Sequence, residues 1–369
     1  MSVIVSTKHP EKKNNMPYKL LIINPGSTST KIGVYEDEHE VFVTDIRHST
    51  EELAQYDEVT DQYEMRKRLV LDELDSRGIA IAFDAVVGRG SLARAVESGV
   101  YEVNERMMQD TFYAVHKHAC DLGCIIASEI ASAIAGCRAF VADPGVVDEL
   151  SPLQKITGTP LIRRISLWHA LNQKAIARRF AREHATTYES LNLIICHLGG
   201  GISIAAHAHG RAIDANNALD GEGPFSPERA GSLPAADLVR ICFSGKYSQQ
   251  QILKRIAGRA GLIALLGTND MQEIERRIAD GDSHAAEVVD AMVWHTAKCI
   301  CAEGAVLEGH VDAILLTGGM AKSDYVVGLL KKRITWMAPV FVYPGQDEMK
   351  ALAENALHVL RGEWKAKVY

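Results

Sequence analysis

Two kinds of periodicity alternate along the chain, and they do so twice. Residues 18–26, YKLLIINPG, form an apolar run ending in a turn, which predicts a buried strand. Residues 30–48, TKIGVYEDEHEVFVTDIRH, continue as strands around an acidic turn at 36–39. The segment YEMRKRLVLDELDSRG at 63–78 spaces its apolar residues along one helix face and stops at a glycine. A strand at 81–91, alanine-rich helices across 104–136 and a strand at 137–145 complete the first half. A helix is predicted at 168–184, and then the opening order returns. Residues 191–215, LNLIICHLGGGISIAAHAHGRAIDA, read as strand, glycine turn, strand. Helices from about 236 to 308, strands at 311–321 and 338–345, and a last helix from 347 to about 361 close the chain.

Each half is thus a strand hairpin with a polar turn, further strands, and helices to cover them. That predicts an α/β fold of two similar units with a cleft between them, as after an old duplication. No short repeat of fixed period is present, which argues against a solenoid.

The turns carry the chemistry. NPGSTSTK at 24–31 offers Gly26, the hydroxyls of Ser27, Thr28, Ser29 and Thr30, and Lys31, with no carboxylate among them. Glycine lets backbone N–H groups approach an anion, and hydroxyls add donors. Ser27, Ser29 and Lys31 share a face if the segment is extended, and Asn24 is a neutral oxygen suited to a magnesium-bound water. A Gly-Ser hairpin turn would account for one such stretch. Yet HLGGGIS at 197–203 repeats the pattern with Gly199, Gly200 and Gly201, and His197 stands at the strand end. LLTGGMA at 315–321 places Gly318 and Gly319 directly after a third apolar run. Three strand-end glycine turns over two similar halves point to phosphate binding. Neither a Walker A sequence nor a protein-kinase signature set occurs. GRGSLA at 88–93 fits a loose dinucleotide pattern, but Arg89 sits in the turn and no strand ending in an acid follows at the right distance.

Composition narrows the class. The chain has 369 residues, 47% hydrophobic and 24% charged, and a formal charge of -7, so no basic stripe suits nucleic acid. No apolar stretch approaches the roughly 20 residues that span a bilayer. Residues 1–16, MSVIVSTKHPEKKNNM, lack the apolar core and cleavage site of a signal peptide and read as a disordered polar tail, with Met16 as an alternative start. Seven scattered cysteines without zinc-knuckle spacing read as reduced thiols. The expected location is the cytoplasm.

The stretches INPGSTSTK, VVGRG, VADPGV, SLWHALNQKAIA, HLGGGISIAAHAHGRAIDANNALDGEGPFSPERAG, GLIALLGTND, LLTGGMA and YPGQDEMKALAENALHVL resemble the acetate/butyrate kinase family, within the actin-like ATPase and sugar-kinase superfamily. They span about residues 18 to 361, and the opening turn and the DGEGPFSPERAG stretch are most like the butyrate and branched-chain acid members. The resemblance implies two duplicated ribonuclease-H-like domains, 17–150 and 151–346, with the closing segment 347–369 packing back on the first and a nucleotide cleft between them. It implies reversible, Mg2+-dependent phosphoryl transfer between ATP and a short carboxylate, giving acyl phosphate and ADP. Asn24, Ser27, Ser29 and Lys31 match the family's first phosphate loop, Gly199, Gly200 and Gly201 the second, and Gly318 and Gly319 the turn against adenosine. Arg89, Asp143, His169, His197 and Arg229 match the ring around the transferred group, and Asn24, Asp143 and Glu348 (or its neighbour Asp347) the metal residues. A homo-oligomer, most simply a dimer, is expected, with the alanine-rich helices and Trp294 supplying its apolar patch.

The residue types suit that reaction. A carboxylate is already an anion at neutral pH, so the task is to bring two anions together and spread charge, not to remove a proton. Arg89, Arg229 and Lys31 supply positive charge; His169 and His197 supply donors. Taken alone, Asp143 could equally cap a DPG turn, and His169 could be an ordinary helix-start residue. His207 and His209 alternate along a strand without a third metal ligand and read as a packed or solvated face. His295 and Trp294 lie in a helical pattern and read as core or interface. An acetate or propionate kinase, a sugar kinase and a non-metabolic actin-like ATPase are the alternatives. The sugar kinase would need a base for a hydroxyl acceptor, and the ATPase extra insertions that the chain lacks.

Overall fold

The computed structural model describes residues 16–90, 94–113, 118–345 and 347–369. All of the expected polar tail except Met16 lies outside them.

Strands β1 (Lys19–Pro25), β2 (Ser29–Glu36) and β3 (His39–Arg47) form an antiparallel meander. β4 (Ala85–Gly88) pairs parallel with β1, and β6 (Arg138–Ala142) pairs parallel with β4. Between them in sequence, the short β5 (Val100–Glu102) adds an antiparallel edge to β6. The order is β3-β2-β1-β4-β6-β5. A second meander, β7 (Asn192–Leu198), β8 (Ile202–Ala208) and β9 (Arg211–Ala215), is followed by β10 (Ala313–Gly318), parallel to β7, and β11 (Val340–Pro344), parallel to β10. Its order, β11-β10-β7-β8-β9, is the first sheet's order without the β5 edge. The duplication expected from the element order is therefore present as a repeated topology. β5 was not separated in the sequence because three residues are too few for alternation to register.

Parallel strands need a crossover and bury both faces. Leu20 to Ile23 on β1 and Ala313 to Leu316 on β10 are all fully buried. In the first sheet, one face is covered by the helices Tyr63–Ser76 and Leu122–Ser132, through Val70, Leu74, Leu122 and Ile126. The other face is covered by the helix Glu348–Leu360, whose Leu352, Ala356 and Leu357 meet Leu20, Ile22, Val87 and Phe140. In the second sheet, Ser283–Val306 and Asp324–Ile334 cover one face and Ala170–Glu183 the other. Burying a side chain such as Leu352 contributes about 1.5–3 kcal/mol, so the end of the chain is fastened to the first sheet. Asp347 is the N-cap of that helix, accepting from Lys350 N at 3.2 Å, and Glu348 is its first residue.

Candidate active site

The two meander turns, the ends of β4, β6 and β10, the start of the Ala170–Glu183 helix, the segment between β9 and the Ala235–Cys242 helix, and the first turn of the Glu348–Leu360 helix carry the expected side chains. In the first turn, Gly26 N donates to Ser29 O at 2.7 Å, and Asn24 stands opposite Lys31 in the β1–β2 ladder. Ser27 and Lys31 are exposed and Ser29 is half-buried. The turn is gripped from beneath by Arg66, a fully buried residue of the Tyr63–Ser76 helix. Its guanidinium donates to Gly26 O at 2.9 Å, Ser29 O at 3.1 Å and Thr30 Oγ1 at 3.0 Å, and to the Gln62 amide oxygen at 2.9 Å. Burial pushes Arg66 down to about 10, which leaves it charged at neutral pH. With these carbonyls and the Thr30 hydroxyl held inward, the exposed hydroxyls of Ser27 and Thr28 are the donors of the turn that face outward, where an anion could meet them. Arg66 was missed in the sequence, although it shares the buried face with Val70 and Leu74 at four-residue steps, where a cation is out of place.

Glu348 joins the two ends of the chain. Its Oε2 accepts from Asn24 Nδ2 at 2.8 Å and is paired with Arg89, the residue that follows β4. Burial raises the Glu348 carboxyl, but the Arg89 charge and the Asn24 bond outweigh it and hold it below the usual range. Asp143, at the end of β6, is not part of this cluster. Its Oδ1 accepts from Ser98 Oγ at 2.6 Å and Gly99 N at 2.8 Å, and its Oδ2 from Arg178 at 3.2 Å. Arg178 also donates to Asn355 at 3.2 Å, so Asp143 anchors the Ala170–Glu183 helix to the first sheet and to the returning helix.

The second turn is built for close approach. Gly200 O accepts from Ser226 Oγ at 2.6 Å and Glu228 N at 3.0 Å. A Cβ on Gly201 would fall 1.8 Å from the Arg229 guanidinium, so glycine is what lets Arg229 lie across the turn. Arg229 donates to Ala218 O, and burial lowers its pKa against the pull of Glu228 and Asp220. Gly318 has φ +93 and would place a Cβ 2.4 Å from Leu198 O, whereas Gly319 faces open space.

His169 and His197 meet face to face, with ring centroids 3.9 Å apart and planes at 10°. His169 is the N-cap residue of the Ala170–Glu183 helix, and its Nδ1 lies 2.8 Å from Ser203 Oγ. His197 Nδ1 lies 2.9 Å from Asn172 Oδ1. Burial, aided by the nearby arginines, lowers His169 well below its ordinary value and His197 to about 4. Both rings are therefore neutral near pH 7. With Nδ1 donating to Asn172, His197 presents Nε2 as an acceptor, so only His169 is available as a ready donor.

Two cavities flank these groups. One, of about 460 Å³, runs from Gly199 and Gly200 past Glu228, Asn269 and Met271 to Gly319 and Lys322. The other, of about 130 Å³, is lined by Arg89, His118, His169 and Arg229 and by the apolar Leu167, Trp168, Ala218 and Leu219. At roughly 30 Å³ per water-sized group, the smaller one takes a short anion with a brief apolar tail. No carboxylate lines it among the described residues. His118 and Trp168 are further site residues missed in the sequence. The sign of His118 was its place at the head of a His-x-x-Asp capping box. His207 is fully buried, bonded to Tyr188 and Gln173, while His209 lies exposed in the following tight turn at φ +49. His295 is exposed, with its ring 5.6 Å from that of Phe225, and Trp294 is 54% exposed beneath the Arg333 guanidinium.

A family model described as the acetokinase family matches residues 153–335. Among curated proteins, the chain is 59% identical to a probable butyrate kinase of Bacteroides thetaiotaomicron, over 95% of this chain and 99% of that one. It is 49% identical to butyrate kinase 1 of Clostridium acetobutylicum, over 95% and 99%. Among solved structures, acetate kinase of Porphyromonas gingivalis superposes with a TM-score of 0.78 at 18% identity, over 93% of this chain and 100% of that one. A propionate kinase of Francisella tularensis superposes with a TM-score of 0.73 at 17% identity, over 92% and 98%. The two-lobed fold is thus that of the carboxylate kinases.

Proposed function

The chain belongs to the acetokinase family, and from that membership and the site we infer a phosphotransferase with a carboxylate acceptor, of the butyrate kinase type. The observation that carries the reading is the 130 Å³ cavity, whose lining sets two arginines and two histidines beside the apolar Leu167, Trp168, Ala218 and Leu219. A short carboxylate fits it by charge and by size. The larger cavity, opened by the glycine turns, suits adenosine and the phosphates of ATP.

In this reading one carboxylate oxygen attacks the γ-phosphorus, the bond from that phosphorus to the bridging oxygen of ADP breaks, and ADP leaves with the electron pair. No proton need move. Arg89 and Arg229 offset the repulsion between the two anions, and the turns after β1 and β7 orient the phosphates with backbone and hydroxyl donors. His169 donates to the transferring group as a neutral ring. Asp143 keeps the lobes in register.

Magnesium fits the donor set, which is sparse in the way a nucleotide-borne ion requires. Among the described residues no group of three His, Cys, Asp or Glu could hold a metal by itself. The Asn24 amide nitrogen is committed to Glu348, leaving Asn24 Oδ1 and Glu348 Oε1 to hold the ion's waters. The ion would neutralise phosphate charge.

The sugar-kinase alternative lacks a base: no acid lines the acceptor cavity among the described residues, and Asp143 is bonded to Ser98, Gly99 and Arg178. Copies of the chain are expected to associate through exposed apolar residues. These are Leu153, Leu161 and Ile162 of one irregular segment, and Val239 and Phe243 at the helix Ala235–Cys242, which buries none of its own residues. The seven free cysteines suit a reducing compartment, and no helix of the described residues is long and apolar enough to cross a membrane.

The test is ATP, magnesium, a panel of short acids and hydroxylamine, with acyl hydroxamate as the readout. Hydroxamate should form best with butyrate-like acids. ATP turnover without hydroxamate from any acid would remove the reading. Arg229→Ala should lower kcat by about 10²–10³ with the fold retained.

A further inference from the structure

Behind His169 runs an unbroken line of buried polar side chains that the proposed chemistry does not itself require. Tyr188 OH lies 2.6 Å from His207 Nδ1, and His207 Nε2 lies 3.0 Å from Gln173 Oε1. Gln173 Nε2 lies 3.2 Å from Ser203 O and 2.8 Å from Ser203 Oγ, and Ser203 Oγ lies 2.8 Å from His169 Nδ1. Gln173, Ser203 and His207 are fully buried and Tyr188 is 4% exposed, so solvent does not complete any of these bonds.

The direction of every bond follows from one fixed acceptor. Ser203 O is a carbonyl, so the Gln173 atom facing it must be the nitrogen, and the amide cannot flip without opposing two oxygens. Gln173 Oε1 therefore accepts from His207 Nε2–H. The buried, neutral His207 then has a bare Nδ1, which accepts from Tyr188 OH. At the other end, Gln173 Nε2 donates to Ser203 Oγ, and the second lone pair of that oxygen faces the His169 backbone N–H at 3.5 Å. The serine proton has no other bonded acceptor, and leaving it unpaired in a dry site costs about 1–3 kcal/mol. It goes to His169 Nδ1.

We propose that Tyr188, His207, Gln173 and Ser203 act as positioning residues, a one-way hydrogen-bond relay that holds His169 in the tautomer with its proton on Nε2, facing the cleft. This rests on the carboxylate-kinase reading for what His169 does, but not for its tautomer. The relay explains why the ring is a donor at a phosphoryl site without being charged. It also gives His207 a place in the site, by way of the face opposite the substrate.

The test is nitrogen NMR of the whole protein carrying ring-15N histidine, with the His169 signals assigned by their loss in His169→Gln. The expected result is a proton coupled to Nε2 and an unprotonated Nδ1. A proton on Nδ1 overturns the relay. Ser203→Ala should mix the tautomers and lower kcat about 10- to 100-fold, below the 10²–10³ of deleting a donor outright, with both KM values within about twofold. Unchanged kcat in folded Ser203→Ala also overturns it. If Ser203→Ala does not fold, the wild-type spectrum decides alone. The two readings separate cleanly: wild type with Nε2–H but no hydroxamate keeps the relay and loses the carboxylate kinase, and an active enzyme with Nδ1–H does the reverse.

Discussion

The contact between Gly201 and Arg229 allows a sharp test, because a single methyl group should damage catalysis and spare the fold. Gly201 does not have a positive φ, so alanine is acceptable to the backbone there. Its Cβ, however, would start 1.8 Å from Arg229 Nη1 and 2.4 Å from Cζ. Even a tight contact of 3.0 Å demands that the guanidinium retreat by more than 1 Å. The end of an arginine moves at little cost in stability, but misplacing a reacting or charge-bearing group by about 1 Å can cost roughly 10²-fold in rate. Gly201→Ala should therefore lower kcat about 10²-fold, equivalent to about 2.7 kcal/mol of barrier, with the melting temperature nearly unchanged. The assay is hydroxamate formation at saturating ATP and acid, for wild type, Gly201→Ala, Arg229→Ala and the double variant. Once Arg229 is gone the methyl group has nothing to displace, so the double variant should match Arg229→Ala. Losses that multiply, or Gly201→Ala within about threefold of wild type, would refute the idea that the glycine exists for the arginine.

Three further outcomes follow from the same structure. Arg66→Met removes charge-assisted bonds to the Gly26 and Ser29 carbonyls, each worth about 1.5–3 kcal/mol; the KM for nucleotide should rise about tenfold, a 1.4 kcal/mol effect, while that for the acid stays put, and equal shifts in both would refute it. Buried His197 titrates near 4 in the fold but near 6.5 unfolded, so between those values the unfolded chain binds the extra proton and stability rises with pH. About 3 kcal/mol from this ring should be present above pH 6.5 and lost toward pH 4, with His169 and His207 adding in the same sense and Glu303, raised by burial, opposing. Urea unfolding at stepped pH should show a shallower slope in His197→Gln, and an identical slope would count against it. Trp168→Phe enlarges the smaller cavity, and since a methylene is worth about 1–3 kcal/mol, the ratio of kcat/KM for a longer over a shorter acid should rise about tenfold or more; an unchanged ratio would place the acyl tail elsewhere.

The amino-acid sequence by itself determined the elements and their repetition. Apolar runs such as LLII and AILL, each closing in a glycine turn, read as strands buried on both faces, although LIALL at 262–266 is just as apolar and is a helix. Those are local requirements, readable from neighbours in sequence. Asn24, Arg89, His169, His197 and the glycines of both turns stood out near strand or helix ends, whereas Arg229 was named by resemblance alone. What only the tertiary structure decided depends on partners far apart in the chain. Arg66 serves the first turn from 40 residues away, Glu348 meets Asn24 across 324, and Asp143 is bound to Arg178 rather than grouped with the metal candidates. The neutral state of His169 and the direction of its proton depend on burial and on which atom of Gln173 faces a carbonyl. Neither is a property of residue type, because desolvation and hydrogen-bond direction arise only when the strands and helices close around the group.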